Sequence, residues 1–299
     1  MKRILTSVLI FLFMIGVCFG AGSTSVSYTT IKTFQNQVGG VTVAVTATAD
    51  ATTALFVPLL LSSSSNDGIY KQVLGKWLTS ARTTPAAYPA PTANYDIYIV
   101  EKASTDDFVL TTPTLAIGST TTSVSTVAFT FVINGVAYAK AAVAAGTAPG
   151  NDVIVATKYG AVAFDIGANG TIDAVEATGQ AAAQFTSAVL AIAAVPACAA
   201  DHVRLGYVTA SKSDGTFTFG AGGTALNAAN TTVAYTSTIP AYDIMGGRLV
   251  NRSATVSQEV YPATTEGDNQ FVFIKKPIMV VITGNSVNSA GIVLDLILN

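Results

Sequence analysis

Charge is what this 299-residue sequence has least of. Lys, Arg, Asp and Glu make up 11% of it and the formal net charge is -2. That leaves no basic face for nucleic acid and no acidic tail. Histidine occurs once, as His202, and cysteine twice, as Cys18 and Cys198. A Ser-His-Asp or Cys-His system would have to be built around that one imidazole, and no Gly-x-Ser-x-Gly elbow is present to carry a nucleophile.

What the sequence has in quantity is short apolar side chains. Hydrophobic residues are 50% of the chain, dominated by Ala and Val interleaved with Thr and Ser, the texture of β structure. The length suits about two domains, each large enough to bury a core.

Lys2 and Arg3 precede an apolar run from Ile4 to Phe19, long enough for the h-region of a signal peptide and short for a spanning helix. Cys18 and Gly20 place small residues at minus three and minus one, so cleavage is expected before Ala21; the alternative is an uncleaved membrane anchor. A lipoprotein reading on Cys18 is poorer, because Val17 is bulky where a small residue is wanted. After cleavage only Cys198 remains, with no partner for an internal disulfide.

From Ala21 to Thr112 the pattern is strand after strand. Ser25 to Phe34 and Val41 to Ala49 alternate apolar with hydroxyl residues, with Gly39-Gly40 expected as the turn between them. Ala54 to Leu61 is apolar throughout, but Pro58 removes a ladder donor and points to an edge or a bulge. A loop over Ser62 to Gly68, a strand over Ile69 to Trp77 and a stiff Pro-rich connection over Thr83 to Thr92 follow. Trp77 reads as a core or edge anchor. Ala90 to Glu101 is a further strand.

Residues 113–238 read as a separate module. Asn134-Gly135 between two alternating runs supplies the positive φ angles of a two-residue hairpin. Gly167-Ala-Asn-Gly170 forms a second turn. A helix is expected over Gln180 to Ala194, with Phe185, Val189 and Ile192 on one face and Pro196 closing it. Strands at His202 to Thr209 and Thr231 to Tyr235, with a turn at Ser213-Asp-Gly215, complete a small antiparallel sheet carrying one helix. After Ile239-Pro240 the outer strands resume, ending in Ile278 to Gly284 and Gly291 to Leu298. These last two look apolar on both faces, as in strands buried between two layers, and the C-terminus is expected to be tied down.

The runs Ser25-Val-Ser-Tyr-Thr-Thr-Ile-Lys-Thr, Ala90-Pro-Thr-Ala-Asn-Tyr-Asp-Ile, Gly246-Gly-Arg-Leu-Val-Asn-Arg-Ser-Ala-Thr and Val281-Ile-Thr-Gly-Asn-Ser-Val-Asn-Ser-Ala-Gly-Ile-Val resemble a small β-sandwich protein found among structural proteins of tailed bacteriophages. There the Asn-Tyr-Asp-Ile strand passes almost directly into the Gly-Gly stretch; here residues 113–238 intervene. That insert resembles a phage-type module through Phe131-Val-Ile-Asn-Gly-Val-Ala-Tyr, Lys158 to Gly167, Ala200 to Gly206 and Lys212 to Gly220. The exported leader departs from the family, whose virion parts assemble in the cytoplasm.

The resemblance and the pattern together lead to a mainly β expectation: an antiparallel, jelly-roll-like β-sandwich over 21–112 and 239–299, with an inserted small α+β domain over 113–238 and a signal peptide over 1–20. The expected role is non-enzymatic: a virion component or a phage-derived surface protein that self-associates or decorates a particle. Its partners are then copies of itself or other virion or surface proteins, and its location is periplasmic, extracellular or in the virion. The alternative is a secreted bacterial adhesin or glycan-binding protein, for which Tyr88, Tyr95 and Tyr98 are the aromatic candidates.

No catalytic, cofactor or metal residues are assigned. Asp165, Asn169, Gly170 and Asp173 offer some donors of a calcium loop, but Gly167 has no side-chain oxygen where such a loop needs one, so a plain turn is favoured. Cys198 and His202 are four apart, yet two ligands do not close a zinc site. Asp106-Asp107 and Lys275-Lys276 read as solvated loop charges. Gly220, Gly222 and Gly223 lack the following helix and Lys of a phosphate cradle. Asn169, Asn230 and Asn251 head glycosylation sequons that matter only in a glycosylating host.

Overall fold

The computed structural model describes residues 24–32, 39–47, 57–60, 75, 77–85, 93–102, 106–146, 150, 152–183, 185–261, 271–284 and 290–298. The signal peptide expected at 1–20 and the loops expected at 62–68 and 285–289 lie outside these. The protein is mainly β, and every strand pairing among the described residues is antiparallel. No described helix is long and apolar enough to cross a membrane.

The first and last parts of the chain interleave. Strands β1 (Thr24–Lys32), β2 (Gly39–Ala47), β3 (Val57–Leu60), β4 (Trp77–Pro85) and β5 (Tyr95–Val100) open it. Strands β17 (Gln258–Val260), β18 (Val272–Phe273), β19 (Met279–Gly284) and β20 (Ala290–Leu298) close it. One sheet runs β1-β2-β20-β4-β17, with β18 also on β4; another runs β3-β19-β5. The C-terminal strand is therefore central, hydrogen-bonded to β2 and β4 along its length.

The alternation of side chains along a strand explains how these sheets are used. Leu78 and Ala81 of β4 and Leu294, Leu296 and Leu298 of β20 share one core with Ile97 and Ile99 of β5 and Val280 and Ile282 of β19. The other row of β19, Met279 and Val281, packs with Val100, Phe108, Leu110 and Val132. As expected for β19, both faces are buried. Each fully buried side chain contributes roughly 1.5–3 kcal/mol, an upper estimate. Strand β20 differs in polarity: its other row carries Asp295, buried and held by Arg82 at 2.9 Å. Pro58 sits in β3, which pairs only with β19 among the described strands, so its missing N–H faces an edge.

The remaining strands lie between these two groups in sequence. They are β6 (Phe108–Val109), β7 (Leu115–Ile117), β8 (Val124–Thr126), β9 (Phe129–Ile133), β10 (Val136–Lys140), β11 (Val153–Ile154), β12 (Tyr159–Gly167), β13 (Ile172–Glu176), β14 (His202–Lys212), β15 (Phe217–Thr218) and β16 (Thr231–Ser237). They form a four-stranded sheet β13-β12-β14-β16, a three-stranded sheet β10-β9-β6, and the pairs β11-β15 and β7-β8. A second core gathers Phe131, Phe164, Phe217, Phe219, Ile154 and Leu205.

Two turns form where the residues require them. Asn134 and Gly135 take φ 50 and 75 between the paired residues Ile133 and Val136, the positive pair that a two-residue hairpin needs. Gly170 N–H donates to the Gly167 carbonyl at 2.9 Å, and Asn169 Oδ1 accepts from Thr171 N–H at 2.9 Å. In β14, Gly206 has φ 148, and a Cβ there would lie 2.1 Å from the Thr236 carbonyl oxygen. Only glycine lets β16 approach so closely.

Other expectations are corrected. Gly39 and Gly40 do not form the turn; they begin β2, paired with Lys32 and Ile31. The strand expected over Ile69 to Trp77 lies, apart from Gly75 and Trp77, outside the described residues; β4 begins at Trp77 and runs into Thr83 to Pro85, expected to belong to the Pro-rich connection. The single helix is two short pieces, α1 (Gln180–Ala183) and α2 (Ala188–Ala193). Between them the Phe185 carbonyl accepts from Tyr159 N–H at 2.9 Å, and Ser187 caps α2 by accepting from Leu190 N–H at 3.3 Å. That restart rotates the expected face: Val189 is 74% exposed and Ala191 is buried. Strand β6, just before residue 113, pairs with β9.

Candidate functional site

The chain passes twice through one narrow crossing. Val109 C=O accepts from Ala241 N–H at 2.8 Å, and Ile99 C=O accepts from Ile244 N–H at 2.8 Å. Asp243 fastens the return: Oδ1 accepts from Ile99 N–H and Met245 N–H, each at 3.1 Å, and Oδ2 accepts from Gly247 N–H at 2.7 Å. Burial pushes the Asp243 carboxyl pKa up, while these three donors pull it down.

Beside the crossing lies an open cleft of about 560 Å³. The end of β5 contributes Glu101 and Lys102, β6 and its approach contribute Asp107, the start of β14 contributes His202 and Arg204, and Lys276 precedes β19. Ile239 and Tyr242 also line the cleft and are 88% and 68% exposed. Several of these groups are held in place. Asp107 Oδ1 accepts from Asn134 N–H at 2.7 Å, and Lys102 Nζ sits 5.6 Å above the Phe108 ring, a cation–π distance.

Arg204 is the most firmly held. Its Nε and Nη2 donate to the two oxygens of buried Asp165 at 2.8 and 2.9 Å, and Nη2 also donates to the Pro196 carbonyl at 2.8 Å. The hydrogen bond to Asp165 raises the guanidinium pKa, against the opposing effect of burial. This is a fork-on-carboxylate pair that neutralises both charges. Cys198 lies next to it, and burial, reinforced by the Asp165 carboxylate, pushes its thiol up to about 12. At neutral pH that sulfur is a thiol, not a nucleophile.

No family model, no curated protein and no solved structure matches this chain. The cleft is therefore read from its own chemistry.

Asp165 and Asp173 are cross-strand partners, but Asp165 is taken by Arg204, and Asp173 Oδ2 lies 3.6 Å from His202 Nε2. His202 Nδ1 donates to the Ala200 carbonyl at 2.9 Å. Cys198 and His202 both line the cleft. No cluster of three His, Cys, Asp or Glu able to hold a metal occurs among the described residues.

Gly220, Gly222 and Gly223 form a tight turn, with Gly223 N–H donating to the Gly220 carbonyl at 3.0 Å. Asn230 and Asn251 hold positive φ and hydrogen-bond to Asp214 and Asn94. Of the aromatic candidates, Tyr95 is buried and Tyr98 is half-buried in the core, and Tyr88 lies outside the described residues. Burial raises the pKa of both described tyrosines.

Tyr242 and Ile239 were not legible as site residues. The only local signal is Pro240 between them. A second surface feature was partly legible: Trp77, 47% exposed, lies with its ring 5.0 Å from that of Phe273 and tilted 56° to it, with Phe271 two residues earlier, 54% exposed.

Proposed function

We propose that this protein is a non-enzymatic structural or assembly protein: a phage-type virion component, or a phage-derived surface protein exported by its leader, that self-associates or decorates a particle. We read its architecture as a jelly-roll-like β-sandwich, whose two sheets share the core of β4, β5, β19 and β20, with a guest α+β domain inserted at the crossing. The hydrogen bond between Val109 and Ala241 supports the insertion, since it places the departing and returning segments side by side.

The observation that carries the assembly reading is the aromatic pair of Trp77 and Phe273 at the start of β4, with exposed Phe271 two residues before Phe273. Large aromatic side chains are enriched at protein interfaces and dominate their energetics. Two of these three are about half exposed, on a chain with few charges to keep copies apart. The short side chains of Ala, Ser and Thr, which let backbones approach, suit repetitive contact of the same kind.

Size-exclusion chromatography with light scattering tests the reading. The wild-type chain is expected to form a defined oligomer at micromolar concentration, and the double variant Trp77→Ser with Phe271→Ser to dissociate to monomer. A wild-type monomer at high concentration, or an oligomer indifferent to both substitutions, refutes it.

A further inference from the structure

We infer that the cleft beside the crossing is a binding site for a neutral carbohydrate, with Tyr242 as its stacking platform. Lys102 and Lys276 face the same cleft as Glu101 and Asp107, and Arg204 is already neutralised by Asp165. The walls therefore offer two cations and two carboxylates with no excess of either sign. An anionic ligand would meet the carboxylates, and a cationic one would meet the ammonium groups, so neither gains from the whole wall.

A hydroxyl group both donates and accepts, and a ring bearing several of them can satisfy donors and acceptors alternately. The second requirement of a sugar is an apolar surface for its C–H face. Tyr242 and Ile239 supply one at the cleft, exposed by 68% and 88%. An amphipathic aromatic ring suits such a boundary.

The site is also largely preformed. Asp107 is fixed by the hairpin N–H of Asn134, Lys102 by the Phe108 ring, and the backbone bearing Ile239 and Tyr242 by the bonds at Ala241 and Asp243. Held polar groups lose less freedom on binding. The volume, about 560 Å³, falls in the range of roughly 300–1,000 Å³ usual for small-ligand sites.

Saturation-transfer NMR and titration calorimetry on the full chain test this, with glucose, galactose, N-acetylglucosamine and its trimer as neutral probes and glucuronic acid and sialyllactose as anionic ones. The expected result is saturable binding of at least one neutral probe, weakened about tenfold or more by Tyr242→Ala. Lys276→Ala, an exposed substitution, is expected to weaken it as well, with thermal unfolding unchanged in both. Trp77→Ser is expected to leave binding intact, which separates this site from the assembly surface. Binding by no probe, binding by anionic probes alone, affinity indifferent to Tyr242→Ala, or a change of oligomeric state in Tyr242→Ala without sugar binding each overturns the inference.

Discussion

Replacing Asp243 tests whether the return crossing is pinned by one carboxylate. In Asp243→Ala the N–H groups of Ile99 and Met245 lose their acceptor, and both residues are fully buried. Gly247 is exposed and its N–H can turn to water. Two orphaned buried donors at about 1–3 kcal/mol each give a loss of about 2–6 kcal/mol. In Asp243→Asn a single amide oxygen can still accept from both buried donors, so the loss is about 1 kcal/mol or less.

The pH dependence follows from the raised pKa. A carboxyl whose folded pKa exceeds its unfolded value, about 3.9, binds its proton more tightly in the folded state. Its stabilisation is complete below the unfolded value and is lost as pH rises through the folded one. Asparagine has no such dependence, so the stability of wild type relative to Asp243→Asn should fall as pH rises from about 4 towards neutrality. Urea unfolding read by tryptophan emission suits the measurement, because Trp77 is the only tryptophan and sits in β4. Equal losses in the alanine and asparagine variants, or an alanine loss under about 1 kcal/mol, would refute the hydrogen-bond argument.

Two further outcomes are expected. With Cys18 replaced by serine, alkylation of Cys198 by iodoacetamide at pH 8 should run at least about a hundredfold slower than for a free thiol, because so little thiolate forms; Asp165→Asn should speed it, and a fast wild-type reaction contradicts the raised pKa of this partly buried thiol. Deleting residues 113–238 and joining the flanks should leave native Trp77 emission, but the product should self-associate, since Val132 and Ala137 no longer cover Met279 and Val281; unfolded emission would count against an inserted domain.

Strand positions were most legible where period and turn chemistry agreed. Asn134-Gly135 could form little other than a tight hairpin, and the run from Ile278 to Gly284 had no polar face to show water. Ala-rich spacing over residues 180–194 fits several helical rotations, and only the Phe185 bond to Tyr159 and the Ser187 cap decide where the helix breaks. Strand β4 is hard to read locally because it is rich in Thr, Ser and Arg, and its end at Thr83 to Pro85 carries the proline of an expected connection. Its central position comes from β20, more than two hundred residues away in sequence.

By itself the sequence determined the class of structure: short apolar and hydroxyl side chains at period two form antiparallel strands, because that spacing puts one row in a core and the other outward. It also ruled out a basic surface, since there are too few cations to make one. The tertiary structure decided which strands became neighbours and which charges met. Asp107, Lys276 and Tyr242 face one cleft only because the chain crosses itself near Ala241 and Asp243. Local periodicity sets which side of a strand is apolar; it carries no information about pairing across a gap of more than a hundred residues.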